Sequence, residues 1–169
     1  MDLEGDFSDY VAARSRALLR TAYLLTGDWH RAQDLVQTSL ERCWPRWRRV
    51  RAGGDPDAYV RRAMLNTFRS DARRRWRGEV PTGEPPEHAQ VGDAHAVVEL
   101  RHALLAAVLG LPPRQRSVLV LRFFDDLTEA QTAAALGCGV GTVKSSASRA
   151  LAALRADPQL AGLTLEATP

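Results

Sequence analysis

Residues 128–155 read TEAQTAAALGCGVGTVKSSASRALAALR, and this stretch decides the fold. Thr128 and Gln131 stand three apart in the order of a capping box, so a helix starts at Thr128. Gly137 and Gly139 stop it, because glycine takes the left-handed conformation that closes helix C-termini. A second helix follows, with Val143, Ala147, Ala150, Leu151 and Leu154 on one face at helical spacing. Thr142, Ser145 and Arg149 point away from that face, and Lys144 lies on its flank. The layout is a helix-turn-helix, whose first helix crosses the phosphate backbone while the second enters a major groove by its N-terminal turns. A plain helical hairpin has the same pattern. The polar face favours DNA: there is no Asp or Glu from Val140 to Ala156. A merely solvated face mixes both signs, whereas an acid-free face suits a polyanion.

Working outward, the rest of the chain is also helical by pattern, and no stretch shows strand alternation. Phe7 to Leu25 has helical spacing and ends at Thr26-Gly27-Asp28, with Asp28 placed to cap the next helix. That helix carries Ala32, Leu35, Val36, Leu40, Cys43, Trp44 and Trp47 on one face, and Pro45 must kink or end it. The tryptophans at 44 and 47 read as core. Arg51 to Pro56 is a loop by its glycines and proline. Asp57 is expected to cap a third helix in which Val60, Met64 and Phe68 recur every fourth residue. Beyond the middle of the chain, Val97, Leu100, Leu104, Leu105 and Val108 share a face, and Leu111-Pro112-Pro113 breaks that helix. Pro113 suits the first turn of another, ending at Asp125-Asp126.

Charge divides the chain. Its 169 residues carry a net charge of +3, with 45% hydrophobic and 25% charged residues. Twelve arginines fall between Arg42 and Arg77, yet no Lys or Arg occurs from Gly78 to Glu99. That second stretch, rich in Pro, Gly and Glu, reads as an extended linker. The expected organisation is all-α: two small helical domains at 5–77 and 94–156, an acidic linker at 78–93 and a C-terminal tail at 157–169. Each domain is small enough that partner contacts matter to its stability.

The remaining features exclude function classes. No apolar run is long enough to span a bilayer and no signal-peptide core opens the chain, so the expected compartment is the cytoplasm. Cys43 and Cys138 are isolated, and the four histidines have no metal-ligand spacing. No metal, cofactor or small-molecule substrate is expected. Paired carboxylates beside a His, a GxSxG and a P-loop are all missing, which argues against an enzyme.

Four segments, in order, resemble the extracytoplasmic-function (ECF) sigma factors, two-domain promoter-recognition subunits of bacterial RNA polymerase. Ala32 to Thr38 (AQDLVQT) is similar to the AEDLVQ segment of region 2. Asp57 to Thr67 (DAYVRRAMLNT), followed by the arginines at 73–77, is similar to the remainder of region 2. Leu111 to Arg116 (LPPRQR) is similar to the LPxxQR opening of region 4, and the helix-turn-helix with VGTVKS at 140–145 completes it. The resemblance covers roughly residues 7–156, and the texture from Asn66 to Thr82 is similar to the actinobacterial SigE-type group. Three departures stand out: Gly139 where the family has Ser or Pro, Ser146 where it has Arg, and Pro45 inside a helix.

The resemblance implies no chemistry, only binding. Asp34, Gln37, Thr38 and Glu41 would dock on the clamp coiled coil of the polymerase's largest subunit; by pattern alone they are a solvated face. Region 4 would meet the flap of the second largest subunit, and Thr142, Lys144, Ser145, Ser146 and Arg149 would meet the upstream promoter element. Gly54, Asp55 and Asn66 would hold a base flipped from the melted strand, with Asn66 supplying one donor and one acceptor; alternatively Asn66 is structural. Arg69, Arg73, Arg74 and Arg77 would grip phosphates. Trp76 either stacks on a base or covers the core. The acidic linker either solubilises or threads a basic path in the polymerase. An anti-sigma factor is left open as a further partner. The alternative reading is a polymerase-independent helix-turn-helix regulator.

Overall fold

The computed structural model describes residues 2–75 and 95–161, and every regular element among them is helical. Trp76, Arg77, the 78–93 segment and the end of the tail lie outside the described residues. Helix α1 spans Leu3–Thr26, capped by the Asp2 carboxylate, which accepts from the Glu4 and Gly5 amides. It closes at Gly27, whose φ of 73° is the left-handed conformation that glycine tolerates. Helix α2 spans Trp29–Cys43 and starts where the Asp28 carboxylate accepts from the Arg31 amide at 2.8 Å.

Pro45, which has no N–H to continue the ladder, turns the chain through a 3-10 segment at Trp44–Arg46 into α3, Trp47–Ala52. The kink separates the two tryptophans. Trp47 is buried, edge-on to Phe7 and tilted against Tyr10 with ring centroids 4.9 Å apart, and its indole N–H donates to Asp6 at 2.8 Å. Trp44 is 43% exposed, which corrects its assignment to the core. Helix α4, Pro56–Arg75, begins on Asp55, not Asp57: the Asp55 carboxylate accepts from the Ala58 amide at 2.8 Å. Asp57 instead accepts from the Tyr10 hydroxyl at 3.0 Å and from the Arg14 guanidinium. Burial first, and this carboxylate second, push the Tyr10 phenol above its ordinary range.

In the second half, α5 spans His95–Gly110 and α6 spans Pro113–Leu119, with Pro113 in its first turn. A π-helical turn, Val120–Phe124, ends at Asp125-Asp126. Helices α7 (Glu129–Leu136), α8 (Val140–Arg155) and the short α9 (Pro158–Ala161) complete the chain. Val97 is 55% exposed, so it falls off the apolar face expected of it.

The main core runs through both halves. Leu25, Leu35, Val36, Met64, Leu65 and Phe68 from α1, α2 and α4 belong to one cluster with Val118, Leu121, Leu136 and Val143 from α6, the π turn, α7 and α8. Burying each such side chain contributes about 1.5–3 kcal/mol, so the two halves stabilise one another. Smaller satellite clusters sit around Trp47 and Val60 in the first half and around Val108, Leu119 and Ala150 in the second.

Candidate nucleic-acid and polymerase interface

The turn between α7 and α8 is built as its sequence demands. Thr128 accepts from the Gln131 amide at 3.1 Å, and the Gln131 side chain accepts from the Thr128 amide at 2.9 Å, closing the capping box. Gly137 takes a φ of 64° and Gly139 sits extended at the start of α8. Val143, Ser146 and Ala150 form the buried face of α8, while Lys144, Ser145, Ser148 and Arg149 are exposed and Thr142 is half-buried. Ser146, 6% exposed, therefore does not belong with the DNA-facing residues. The spacing 143, 146, 150 is itself helical and was the signal for this. Lys144 stands 3.7 Å from the Glu129 carboxylate across the turn; both are solvated, so the pair contributes little.

Asn66 is exposed on the outer face of α4, where the helical period aligns it with Arg62, Arg69 and Arg73. Arg73 and Arg74 are exposed. Arg69 is half-buried, and its guanidinium donates to the Leu136 carbonyl at the end of α7 at 2.9 Å. The Gly53-Gly54-Asp55 turn stands at the head of the same helix, with Gly54 at a φ of 85°. Arg46, Arg49 and Arg62 line a cleft of about 530 Å³ together with Gly53 and Asp55. Sequence reading passed over these arginines; Arg62 was findable, lying one turn before Asn66.

On α2, Asp34, Gln37 and Glu41 are exposed and Thr38 is half-buried. Gln37 donates to Glu41 at 3.0 Å, one turn on. The four do not share one cleft. Gln37 and Glu41 edge an apolar groove floored by Phe7, Val36, Leu40 and Trp44. Asp34 and Thr38 edge a polar cleft shared with Asp71, Arg75 and Arg116.

Residues 10–78 match the family described as Sigma-70 region 2, and residues 101–154 match Sigma-70, region 4. The chain belongs to the sigma-70 family. Over 150 residues it is 45% identical to the RNA polymerase sigma-E factor of Streptomyces coelicolor, an alignment covering 89% of this chain and 84% of that one. The ECF RNA polymerase sigma factor EcfG of Rhodopseudomonas palustris is 34% identical over 161 residues, covering 92% and 87%. Among solved structures, the sigma factor RpoE of Bartonella quintana, crystallised with the anti-sigma factor NepR, superposes with a TM-score of 0.73 at 27% identity, covering 89% of this chain and 94% of that one. CnrH, solved with the cytosolic domain of CnrY, superposes at 0.62 with 23% identity, covering 90% and 87%, which bears on the fold alone.

The sigma factor therefore binds core RNA polymerase and promoter DNA and directs promoter-specific initiation. Its family is not an enzyme class. No helix among the described residues is long and apolar enough to cross a membrane, and no metal-binding cluster occurs among them.

Proposed function

We propose that the two promoter contacts divide between α8 and α4. In α8, Thr142, Lys144, Ser145 and Arg149 meet the upstream element. In α4, Asn66 reads a base flipped from the melted strand at the Gly54-Asp55 turn, while Arg69, Arg73 and Arg74 hold phosphates, joined beyond the described residues by Trp76 and Arg77. The observation that carries this reading is the alignment of exposed Asn66 with an arginine stripe beside the Gly53-Gly54-Asp55 turn. A flipped base needs a hydrogen-bonding partner to offset its lost stacking, and the stripe supplies the backbone grip.

The exposed face of α2, carrying Asp34, Gln37, Thr38 and Glu41, docks on the clamp coiled coil of the largest polymerase subunit, and region 4 meets the flap of the second largest. The working division of the chain remains 5–77, 78–93, 94–156 and 157–169. The protein acts in the cytoplasm, without catalysis and without a cofactor, and an anti-sigma factor is a further partner. A polymerase-independent regulator would have no use for a region 2, which is why that alternative is set aside. Run-off transcription with core enzyme and genomic fragments tests the reading. Specific transcripts that need both proteins are expected; DNA binding that core polymerase neither strengthens nor redirects would sink it.

A further inference from the structure

The turn at the head of α4 is held at both ends by one helix. Asp6, in the first turn of α1, accepts from the Trp47 indole N–H at 2.8 Å through one carboxylate oxygen and from Arg51 at 2.8 Å through the other. Trp47 and Arg51 lie one helical turn apart on α3. Asp57, in the first turn of α4, accepts from the Tyr10 hydroxyl at 3.0 Å and from the Arg14 guanidinium, which lie one turn apart on α1. Between Arg51 and Asp57 the chain reads Ala52-Gly53-Gly54-Asp55-Pro56. This stretch needs outside support, because its two glycines restrict the backbone little. Their amides donate to the carbonyls of Arg49 and Arg51 at 3.0 and 3.2 Å, so the glycines hang from the end of α3 and follow its tilt. Arg49 lies on the face of α3 opposite to Trp47 and Arg51, and it lines the cleft with Asp55. On α4, Asp57 and Asn66 are two and a half turns apart, at about 3.6 residues per turn, and so lie on opposite faces. Each clamp therefore grips one side of a helix and leaves the other side to the cleft or to Asn66.

We propose that Asp6 and Asp57 are positioning residues for promoter opening, the two ends of a bracket on α1 that sets the shape of the base-trapping turn. The proposal rests on the reading of Asn66 and the Gly54-Asp55 turn as the pocket. Both ion pairs are partly exposed and contribute little by attraction alone. Their weight is geometric. Trp47 is 1% exposed, so loss of Asp6 leaves a buried N–H without its acceptor and frees α3 to shift. A turn that is competent for only part of the time captures a flipped base with an affinity lowered by that fraction. Charge alone predicts the opposite, since removing a carboxylate from a DNA-binding half favours the polyanion. Slower opening in a variant that lacks Asp6 would therefore mark geometry and not charge.

The test uses the full chain, alone and with core polymerase on a genomic fragment that the wild-type holoenzyme transcribes. Asp6→Ala and Asp57→Ala each release one end of the turn. Asp6→Asn keeps an acceptor for Trp47 and gives up the charge. Hydrogen exchange of the free protein reads the turn, and circular dichroism checks that each variant is folded. Mobility shifts read closed complexes, and permanganate reactivity on duplex and premelted templates reads opening. In Asp6→Ala the amides of residues 50–58 should exchange faster while those of α2 stay protected. Opening on duplex DNA should slow on the order of tenfold, as for a turn competent a tenth of the time. Closed complexes should be unchanged, and the defect should shrink on the premelted template. Asp57→Ala should act likewise, and Asp6→Asn more mildly. Adding Asn66→Ala to Asp6→Ala should cost little further, because both disable one pocket. Should Asp6→Ala unfold, Asp6→Asn and Asp57→Ala carry the same readouts. Unchanged exchange at 50–58, wild-type opening rates, or a loss of closed complexes equal to the loss of opening would each overturn the bracket. If Asn66→Ala itself opens duplex DNA like wild type, the reading of the pocket falls instead, and the bracket's role falls with it.

Discussion

The guanidinium of Arg69 in α4 donates to the backbone carbonyl of Leu136 in α7, 2.9 Å away and 67 residues on in the chain. The acceptor belongs to the last turn of a helix, where carbonyls lack intrahelical partners and the dipole favours a cation. Arg69→Ala should lower the stability of the free protein by about 1.5–3 kcal/mol, the range for a hydrogen bond to a charged group. Urea unfolding followed by circular dichroism measures it. An unchanged midpoint would mean that water replaces the arginine at no cost.

Asp34→Arg should weaken the binding of core polymerase without loss of helical content. Asp34 is exposed on α2, beside the buried Leu35 and Val36 that anchor the helix, so its charge can be reversed without disturbing the core. Pull-down of core enzyme is the readout, and undiminished capture would remove Asp34 from the docking face.

Positions 144, 146 and 149 of α8 should behave in three different ways. Lys144→Ala, if the side chain meets a phosphate as proposed, should weaken binding evenly across sequences and lower the salt slope by about one unit. Arg149→Ala, if the side chain meets a base as proposed, should cost about 1–3 kcal/mol and relax specificity at one position. Ser146→Ala should leave binding unchanged because Ser146 is buried. Ser146→Arg should destabilise the fold by forcing a charge into the core. Electrophoretic mobility shifts across salt concentrations, paired with thermal melts, separate these outcomes.

The two cysteines should differ in reactivity. Cys43 is 0% exposed, and burial pushes its thiol from 9.0 up to about 11; Cys138 is half-buried. At pH 8 a thiol reagent should label Cys138 in the native protein and Cys43 only after unfolding. Because the folded pKa is the higher one, the unfolded chain holds fewer protons between the two values. The stability contributed by the neutral thiol is therefore complete below pH 9 and is lost as pH rises to about 11. Urea midpoints across that window should fall less steeply in Cys43→Ala than in wild type.

Helix identity was legible in the sequence wherever a local rule sufficed. Asp28, the Thr128/Gln131 box, Gly27, Gly137 and Pro45 each act through neighbours a few residues away, and each acts as its type demands. What escaped was decided by distant partners. Asp57 looks like a cap, but the hydroxyl of Tyr10 and the guanidinium of Arg14 claim it. Trp44 shares an apolar stripe with Trp47 until the 3-10 turn swings it out. The merging of the two cores was not readable, since no local pattern says that the faces around Phe68 and Leu136 meet. Within the site, the polar face of α8 followed from periodicity, whereas Arg46 of the 3-10 segment and Arg49 of α3 line one cleft with the Asp55 turn only through tertiary packing.

Asn66→Ala should separate promoter opening from promoter binding. Asn66 is exposed on α4 and packs no core, so its loss should leave the fold intact. Closed-complex formation should be nearly unchanged, because the arginines of α4 and the α8 contacts still hold the duplex. Open-complex formation should slow, since the flipped base loses its partner while the unstacking cost of about a few kcal/mol remains. A premelted bubble supplies that cost in advance, so the defect should shrink on a bubble template. Permanganate footprinting on duplex and bubble DNA resolves the two steps. Equal open-complex yields from mutant and wild type on duplex DNA would make Asn66 a solvated helix residue and leave the stripe of Arg62, Arg69 and Arg73 as a backbone grip without a base pocket.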